Sequence, residues 1–246
     1  LSKFLFESFD ISFPQNYETK KYLHSLGVKK IKFLGNLKFS ESKTQKNIAL
    51  NKNIEKIFKS RKIWCAVSTH NGEEKICAEA HQKLKKKYKK LLTVIIPRHV
   101  HRVNDIYKEI LDMGFKVQIH SKKSKIKKDT DIYLVDTYGE TKSFFKICNT
   151  VFLGGSIVNH GGQNPLEPAR FGCKILHGPN IQNFTEVYRL LNKENLSFKF
   201  YNTNQLAKSV NQSLNQNINF SKKIAKLKKI GSNILNHTST EINCFL

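Results

Sequence analysis

The sequence of 246 residues has few features of a secreted or membrane-spanning protein. Its five cysteines include no C-x-x-C pair and are odd in number, so we expect the reduced thiols of a cytosolic protein. No segment approaches the roughly 18 consecutive apolar residues that a membrane-spanning helix needs. The chain begins with neither an initiator methionine nor a signal-peptide pattern, so we expect it to start partway into a domain.

Acidic residues are scarce: 19 Asp and Glu stand against 43 Lys and Arg, which gives a formal net charge of +24. Such a charge favours an anionic partner, whether nucleic acid, acidic lipid headgroups or a phosphorylated substrate. The lysines are spread through helix-like segments such as 83–90 and 222–229, which is also typical of a lysine-rich composition without a functional meaning. Both interpretations stay open, although a surface of this charge would be attracted to an anionic membrane at low salt.

From Lys62 onward, short apolar runs alternate with helix-length segments. This alternation is typical of a doubly wound parallel sheet, so we expect an α/β, Rossmann-like domain at 62–217 and a helical segment at 218–246. The predicted strands are 63–67, 92–96, 116–119, 131–135, 150–153, 174–177 and 198–201. The predicted helices are 73–90, 103–113, 140–148, 164–172, 181–192, 204–216 and 219–234.

The residues before this region are too few to fold alone. In residues 1–34 the pattern predicts a strand at 4–13, a helix from Tyr17 to Leu26 and a second strand at 30–34. This is typical of the last βαβ piece of a preceding domain. The polar, lysine-rich residues 35–61 suit an interdomain connector.

The first polar loop follows the strand at 63–67. In open α/β sheets ligands bind at the carboxyl ends of the strands. Here Ser68, Thr69 and His70 offer short donors, and Gly72 permits a tight turn before a helix start that would favour an anion. Thr69 and Glu73 equally suit an ordinary helix start, as a cap and a first-turn acid.

Two further loops carry polar residues after predicted strands. Pro97 ends one strand, and Arg98 follows it, where a guanidinium binds phosphate or carboxylate through paired N–H groups. A salt bridge to a neighbouring acid is an equally common role for such an arginine. In the other loop, Gly139 lets the backbone approach a ligand and Glu140 begins the next helix.

The loop after the fifth predicted strand is the most specific feature of the chain. It contains Gly-Gly-Ser at 154–156 and His-Gly-Gly-Gln-Asn-Pro-Leu-Glu-Pro-Ala at 160–169. The two Gly pairs allow the backbone to wrap closely around a ligand, while Asn164 and Pro165 suit the start of a helix. Glu167 could bind two ribose hydroxyls or close a capping box with Asn164.

Together these loops predict a site for a small, anionic, hydroxyl-bearing ligand such as a nucleotide. The chain lacks G-x-x-x-x-G-K-[ST], and no G-x-G-x-x-G follows its first sheet strand, which counts against P-loop and ordinary dinucleotide-binding proteins. Histidines at 70, 99, 101 and 160 form no recognisable set of metal ligands, so we predict no protein-bound metal.

In their order along the chain, these motifs resemble those of the bacterial 3-deoxy-D-manno-octulosonic acid (Kdo) transferases. The resemblance extends over most of the chain and includes two motifs not yet mentioned, at the connector and after the sixth strand. It rests on Gly-Asn-Leu-Lys-Phe at 35–39, Trp64, Ser-Thr-His-x-Gly-Glu-Glu at 68–74, Pro-Arg-His at 97–99, Asp-Thr-x-Gly-Glu at 136–140, the Gly-Gly-Ser to Glu-Pro-Ala segment at 154–169, His-Gly-Pro at 177–179 and Asn-Phe at 183–184.

The resemblance implies a GT-B fold, with two Rossmann-like domains and the active site in the cleft between them. This chain would be the carboxyl-terminal, donor-binding part of an inverting, metal-independent transferase that uses CMP-Kdo and no cofactor. Lys38 would stabilise negative charge developing near the donor. The implied CMP-binding residues are Pro97, Arg98, Tyr138, Gly139, Glu140, Asn164, Pro165, Leu166 and Glu167, and a possible donor loop adds Ser68, Thr69, His70, Gly72, Glu73, Gly155 and Ser156.

The resemblance also implies partners. The acceptor would be a lipid A precursor, lipid IVA, at the cytoplasmic face of the bacterial inner membrane, where the protein would be peripheral. No nucleic acid is expected. In this family the N-terminal domain carries the acceptor site, the membrane anchor and the general base, and almost all of it is missing here, so we expect the chain to be inactive alone. Tyr138 in place of Met and Asn71 in place of an acid depart from the family pattern.

Two other functions stay open. Another GT-B enzyme, either a glycosyltransferase that uses a UDP-sugar or a UDP-sugar 2-epimerase, is disfavoured by the junction motif at Lys38 and by the Pro-Arg-His motif at 97–99. A basic nucleic-acid-binding module is disfavoured because the chain lacks a recognisable RNA- or DNA-binding motif. Nucleotide preference separates the three: CMP for the first, UMP for the second, and no mononucleotide selectivity with a steep salt dependence for the third.

Overall fold

The structure is a computed structural model and describes residues 2–40, 50–122, 126–215 and 221–244. Contacts between Cα atoms divide these residues into two units. The smaller unit comprises 2–40 and 221–244, and the larger unit comprises 50–122 and 126–215.

Helices and strands have the following bounds. The helices are α1 (Ser2–Glu7), α2 (Tyr17–Ser25), α3 (Lys52–Lys59), α4 (Glu73–Lys85), α5 (Val103–Asp112), α6 (Thr141–Phe145), α7 (Leu166–Arg170), α8 (Thr185–Lys193), α9 (Thr203–Leu214) and α10 (Ser221–Asn243). The strands are β1 (Lys62–Thr69), β2 (Leu91–Pro97), β3 (Val117–Ile119), β4 (Ile132–Leu134), β5 (Thr150–Leu153), β6 (Lys174–His177) and β7 (Ser197–Lys199). Short 3-10 helices lie at Leu37–Phe39, Val100–Arg102 and Gln182–Phe184.

In the smaller unit, the predicted helix from Tyr17 is confirmed. Asn16 caps α2 by accepting the Thr19 N–H at 2.7 Å, and the chain turns at Gly27, whose φ of +82° suits glycine. α10 contains Gly231, where an added Cβ would lie 2.1 Å from the Phe39 carbonyl oxygen. The glycine therefore lets α10 pack closely on the 3-10 helix Leu37–Phe39.

The two strands predicted near the amino terminus are wrong. Residues Ser2–Glu7 form α1, and Ser12 and Ile31 form an isolated parallel bridge instead of two paired strands. A strand is stabilised by a ladder of hydrogen bonds to its neighbour, whereas the backbone bonds joining these segments are Ser12 N–H to the Lys30 carbonyl and Lys32 N–H to the Ser12 carbonyl. The first apolar residues of the predicted strand, Phe4, Leu5 and Phe6, lie in the helix α1 instead.

The larger unit is built on a seven-stranded sheet with the order β3-β4-β2-β1-β5-β6-β7. Every strand pair is parallel, and β2, β4, β5 and β6 are buried along their whole length. Parallel strands covered by helices on both faces have such apolar runs. The predicted doubly wound parallel sheet is confirmed.

The strand order places a topological switch point beside β1. From β1 the chain proceeds to β2 on one side, and β5 later pairs with the other side of β1. In open α/β sheets ligands bind in the crevice beside such a point, at the carboxyl ends of the strands. The loops after β1 and β5 lie at that edge of this sheet.

A buried polar cluster lies at the opposite edge, where β4 begins. Asp131, which is 4% exposed, accepts a hydrogen bond from Lys85 Nζ and one from the Lys116 N–H at 3.0 Å. The His81 Nδ1 atom lies 2.9 Å from Thr93 Oγ1, within hydrogen-bond distance. Burial by itself would raise the pKa of Asp131, but the neighbouring His81 and the hydrogen bonds from Lys85 and Lys116 outweigh it and hold that pKa well below its usual range.

All five cysteines are free thiols, and four of them are buried. Burial raises the pKa of Cys173, and of Cys65 and Cys77, which disfavours the reactive thiolate. Over the ranges that the structure describes, no helix is both long enough and apolar enough to cross a bilayer.

Candidate functional site

At the carboxyl edge of the sheet, the backbone at the end of β1 lies very close to the backbone at the end of β5. Ser68 has a φ of +55°, a left-handed conformation that is unusual for a residue other than glycine, and the register between β1 and β2 shifts at this position. A Cβ on Gly154 would lie 2.3 Å from the Ser68 carbonyl oxygen and 2.6 Å from Thr69 Cα. The end of β5 can therefore lie against the end of β1 only because residue 154 is a glycine.

Glu73 fastens the two loops together. Its side chain is fully buried and accepts the His70 N–H of its own loop at 2.9 Å. Across the crevice the same carboxylate accepts the N–H groups of Gly155 at 2.7 Å, Ser156 at 3.2 Å and Ile157 at 3.0 Å. The structure therefore places Glu73 and Gly155 together, with the Glu73 carboxylate turned into the protein.

Ser156 is also turned into the protein. Its hydroxyl donates to the Leu153 carbonyl at 2.5 Å and accepts the Gly178 N–H at 2.9 Å. A Cβ on Gly178 would lie 2.2 Å from the Ser156 carbonyl oxygen, so the loop after β6 packs directly on the loop after β5. These contacts explain why the middle residue of the His-Gly-Pro motif, Gly178, is a glycine.

Two asparagines that the sequence did not single out as site residues complete this link. Asn180 donates from its backbone N–H to the Ser156 carbonyl and from Nδ2 to the Ile157 carbonyl, both at 2.9 Å. Asn183 Nδ2 donates to the His160 carbonyl at 3.3 Å and lies where a Cβ on Gly161 would be. Asn183 belongs to the Asn-Phe motif at 183–184, but the sequence could not show the role of either amide, because their partners are backbone atoms more than twenty residues away.

Three histidines meet above the crevice. The ring centroid of His70 lies 4.2 Å from that of His160 and 5.9 Å from that of His99. His70 Nε2 is buried and has no hydrogen-bond partner. Burial, followed by the neighbouring His160, His99, Arg102 and Arg98, lowers the pKa of His70 to about 4, so this ring is neutral at pH 7. Within the described part of the chain, no group of His, Cys, Asp or Glu could hold a metal ion.

Two arginines flank these rings in different states. Arg102 forms a paired salt bridge with the buried Glu74, with N–O distances of 3.1 and 3.3 Å. Arg98 is exposed, directly after the buried Pro97, and its backbone N–H donates to the Thr69 carbonyl at 3.0 Å. Among the residues that the structure describes, no carboxylate pairs with the Arg98 guanidinium, so the salt-bridge alternative for this residue is not seen.

In the turn after β4, the middle residues are exposed and the last residue is held by hydrogen bonds. Tyr138 is 69% exposed, and Gly139 has a φ of +84°. Glu140 accepts a hydrogen bond from Thr137 Oγ1 and lies 2.9 Å from His120 Nε2. Because Glu140 is held by neighbours of its own, Tyr138 and Gly139 are the parts of this turn most open to a ligand.

The start of α7 follows the loop after β5. The Asn164 side chain accepts the Leu166 N–H at 3.1 Å, while Pro165 and the buried Leu166 form the first turn. The Glu167 carboxylate is 42% exposed and lies 3.6 Å from Lys142 Nζ. No hydrogen bond returns from Glu167 to the Asn164 N–H in the described structure, so the capping box is not formed.

Besides the β4 turn and the start of α7, the predicted residues lie in three further places. The loops after β2, β1 and β5 belong to adjacent strands and bring Arg98, His70 and Gly155 into one region. Gly72 is the left-handed residue before α4, with no atom within 4 Å of an added Cβ. Lys38 lies in the smaller unit, where its backbone N–H donates to Asn36 Oδ1 at 2.9 Å.

Several curated 3-deoxy-D-manno-octulosonic acid transferases match this chain. It is 33% identical over 184 residues to the 3-deoxy-D-manno-octulosonic acid transferase of Haemophilus influenzae, covering 74% of this chain and 43% of that protein. It is 28% identical over 214 residues to the enzyme of the same name from Aquifex aeolicus, covering 87% of this chain and 56% of that protein. The resemblance seen in the motifs is confirmed, and the chain spans about half the length of these relatives. No protein-family model matches the chain.

Solved structures support the fold. The C-terminal CMP-Kdo binding domain of WaaA from Acinetobacter baumannii matches with a TM-score of 0.61 at 23% identity, covering 72% of this chain and 91% of that domain. A structure of MnaA from S. aureus with UDP matches with a TM-score of 0.52 at 13% identity, covering 95% of this chain and 61% of the MnaA chain. The predicted Rossmann-like domain of GT-B type is thus confirmed.

Proposed function

We propose, on the premise that this chain is a relative of the Kdo transferases, that it is the donor-binding part of a transferase. The donor would be CMP-Kdo and the acceptor a lipid A precursor of lipopolysaccharide synthesis. One observation carries the proposal. The crevice beside β1 combines an exposed Arg98 guanidinium with a buried, partnerless imidazole nitrogen of His70, in a chain 33% identical to a protein of that name.

The donor site would use the exposed groups of the loops. Arg98 would bind an anionic group of the nucleotide, because a guanidinium offers paired donors to an oxyanion. Glu167, positioned by Lys142 at 3.6 Å, would accept hydrogen bonds from two ribose hydroxyls. Tyr138 and Gly139, the open middle of the β4 turn, would contact the base, and Asn164 to Leu166 would hold the start of α7 that presents Glu167.

Glu73 and Ser156 would act differently from the other donor-loop residues. Both are fully buried and bonded to backbone groups, so we assign them to shaping the loop and not to touching the donor. Thr69 is fully buried too, and its Oγ1 has no hydrogen-bond partner among the described residues.

Catalysis would need two further contributions. Inverting transfer requires a base within hydrogen-bond reach of the attacking hydroxyl, and we propose that an N-terminal domain, supplied with this chain, provides it. Lys38 would stabilise the negative charge that develops as the donor bond breaks. A transfer assay with that domain present tests this role: Lys38→Ala should lower kcat by about a hundredfold, and an unchanged kcat would remove Lys38 from the mechanism.

A second candidate function is supported by one observation. The structure of MnaA with UDP matches 95% of this chain, which keeps a UDP-sugar enzyme as the alternative. Isothermal titration calorimetry with CMP and UMP separates the two. We expect CMP to bind at least about tenfold more tightly than UMP, a difference of about 1.4 kcal/mol. Tighter binding of UMP would favour the alternative.

The membrane partner is a proposal as well. With a net charge of +24, the chain would bind peripherally to the anionic cytoplasmic face of the inner membrane, where the acceptor would lie. Cosedimentation with vesicles of anionic lipid should show binding that weakens as salt rises from 0.05 to 0.3 M, values of about 14 and 6 Å in Debye length. Equal binding to neutral vesicles would contradict an electrostatic attachment.

A further inference from the structure

The backbone N–H groups of the glycine-rich loop after β5 are already hydrogen-bonded within the protein. The N–H groups of Gly155, Ser156 and Ile157 all point to the buried carboxylate of Glu73. Consecutive N–H groups of this kind form a concave site that binds anions. Here the anion is a side chain of the protein itself, so an incoming phosphate would have to be bound by other groups.

Side chains around the crevice offer such groups. His70 Nε2 is buried without a partner, and its ring lies against His160, with centroids 4.2 Å apart. His99 approaches from the loop after β2, with its ring centroid 5.9 Å from that of His70. A Cβ on Gly155 would lie 3.2 Å from His70 and 3.3 Å from His160, so the rings lie directly on the backbone of the crevice.

The charges that face His70 are mostly positive. Arg98 faces it from the end of β2, and Arg102 faces it from the 3-10 helix that follows. Of the nearby carboxylates, Glu74 is paired with Arg102, and Glu73 accepts four backbone N–H groups including that of His70. Two imidazoles, His99 and His160, complete the surroundings. An anion is the ligand that such a cluster lacks.

We propose that His70, His99 and His160, together with Arg98, form the site that binds the phosphate group of the nucleotide donor. The inference rests on the proposed function and deepens it. Neutral His70 donates its Nε2–H to a phosphate oxygen, which satisfies the buried nitrogen. Arg98 supplies the permanent positive charge, and His99 and His160 add hydrogen bonds from two sides.

Binding has a measurable electrostatic consequence. The pKa of free His70 is lowered to about 4 by burial and by its positive neighbours. A bound phosphate within about 4–6 Å favours the imidazolium and raises that pKa by about one to three units. The same linkage makes the protein bind phosphate more tightly as the pH falls towards the raised pKa, because proton and phosphate binding promote each other.

Nuclear magnetic resonance of the imidazole nitrogens tests the proposal. The nine histidines of the chain are titrated from about pH 3.5 to about pH 8, with CMP, inorganic phosphate, cytidine or no addition. This range includes the ordinary histidine pKa of about 6.5 and the lowered pKa of His70. We expect CMP and inorganic phosphate to raise the pKa of His70 by at least about one unit. Cytidine, which has no phosphate, should leave it unchanged. An unchanged His70 pKa at saturating CMP or phosphate would overturn the proposal.

Affinity measurements on variants provide the second readout. His160→Gln and His99→Gln should each weaken CMP binding by about three- to tenfold, as expected for one lost hydrogen bond. His24→Gln, an exposed histidine of α2 in the smaller unit, is the matched control and should bind CMP like the unchanged protein. Unaltered CMP affinity in both test variants, with melting temperatures matching the control, would overturn the assignment.

The two proposals fail separately. A His70 shift with phosphate, combined with no preference for CMP over UMP, would keep the phosphate site and reject the Kdo-transferase function. Preference for CMP without a His70 shift would keep the function and reject the imidazole site. A shift of the same size with cytidine as with CMP would reject phosphate as the bound group.

Discussion

The Glu73 carboxylate accepts the Gly155 N–H at 2.7 Å across 82 positions of sequence. This bond, with those to Ser156 and Ile157, holds the loop after β5 against the start of α4. A carboxylate that accepts several backbone N–H groups strengthens each bond through its charge. The geometry of the crevice therefore depends on a residue that does not itself face it.

Replacing Glu73 tests this dependence. Glu73→Gln keeps the size of the side chain but removes its charge and puts an NH2 group among backbone donors. Because several buried N–H groups lose their acceptor, we expect the free energy of unfolding to fall by about 2–4 kcal/mol. Urea unfolding followed by circular dichroism measures it.

The matched control is Glu55→Gln. Glu55 is partly exposed and, among the residues that the structure describes, forms an ion pair with Lys59 on its own helix, at 2.6 Å, so its loss should leave the urea midpoint unchanged. Equal stability of Glu73→Gln and the unchanged protein would show that the loop is held by other contacts.

Gly154 gives a second prediction. In Gly154→Ala the new Cβ would lie 2.3 Å from the Ser68 carbonyl oxygen, and that neighbour is backbone, which cannot rotate away. We expect a loss of about 2–3 kcal/mol in the free energy of unfolding, typical of overpacking, together with weaker CMP binding.

Gly114→Ala separates this close contact from a general effect of losing a glycine. Gly114 has a φ of +84° but no atom within 4 Å of an added Cβ. In Gly114→Ala the free energy of unfolding should fall by about 1 kcal/mol, from backbone strain alone. The affinity of this variant for CMP should be unchanged. A smaller loss for Gly154→Ala than for Gly114→Ala would contradict the close approach of β1 and β5.

The third prediction concerns pH. The pKa of Asp131 is held below its ordinary value of 3.8, so its ionised form stabilises the fold at neutral pH. This contribution is present above the unfolded-state pKa and is lost as the pH falls towards the lower folded-state pKa. Asp131→Asn should therefore reduce the free energy of unfolding by about 2 kcal/mol at neutral pH, and by less in acid.

Urea unfolding of Asp131→Asn and the unchanged protein at pH 7, 5 and 3, roughly spanning the ordinary Asp pKa, measures the difference. We expect it to be similar at the two higher values and smaller at the lowest. A difference that does not change over the series would show that the charge of Asp131 contributes nothing to stability.

The sequence was sufficient to predict the sheet, because its strands can be recognised from their apolar runs. Buried parallel strands must be apolar along their length, so runs such as Leu91–Pro97 and Thr150–Leu153 are visible without a partner. The segment at 4–13 also contains apolar residues, but the strand predicted there was wrong, since a strand also needs a neighbour. An apolar run cannot show whether that neighbour exists.

The candidate site could be predicted from the sequence only in part. Residue types and their position after strands indicated Arg98, His70 and the glycine loop, because ligands bind at that edge of an α/β sheet. Which of these residues is buried and which is exposed to a ligand depends on contacts between segments that are distant in the sequence. Glu73 and Glu167 are both first-turn acids of helices, yet one is fully buried against backbone N–H groups and the other is 42% exposed.

The most direct test of the donor-binding claim is the CMP affinity of Arg98→Ala and Glu167→Ala, measured by calorimetry on the whole chain. Arg189→Ala, an exposed arginine of α8, is the control for lost charge. We expect each test variant to bind CMP at least about tenfold more weakly, about 1.4 kcal/mol, while the control binds normally. CMP affinity that is unchanged in both variants, or lowered equally in all three, would contradict the donor site proposed at the carboxyl edge of this sheet.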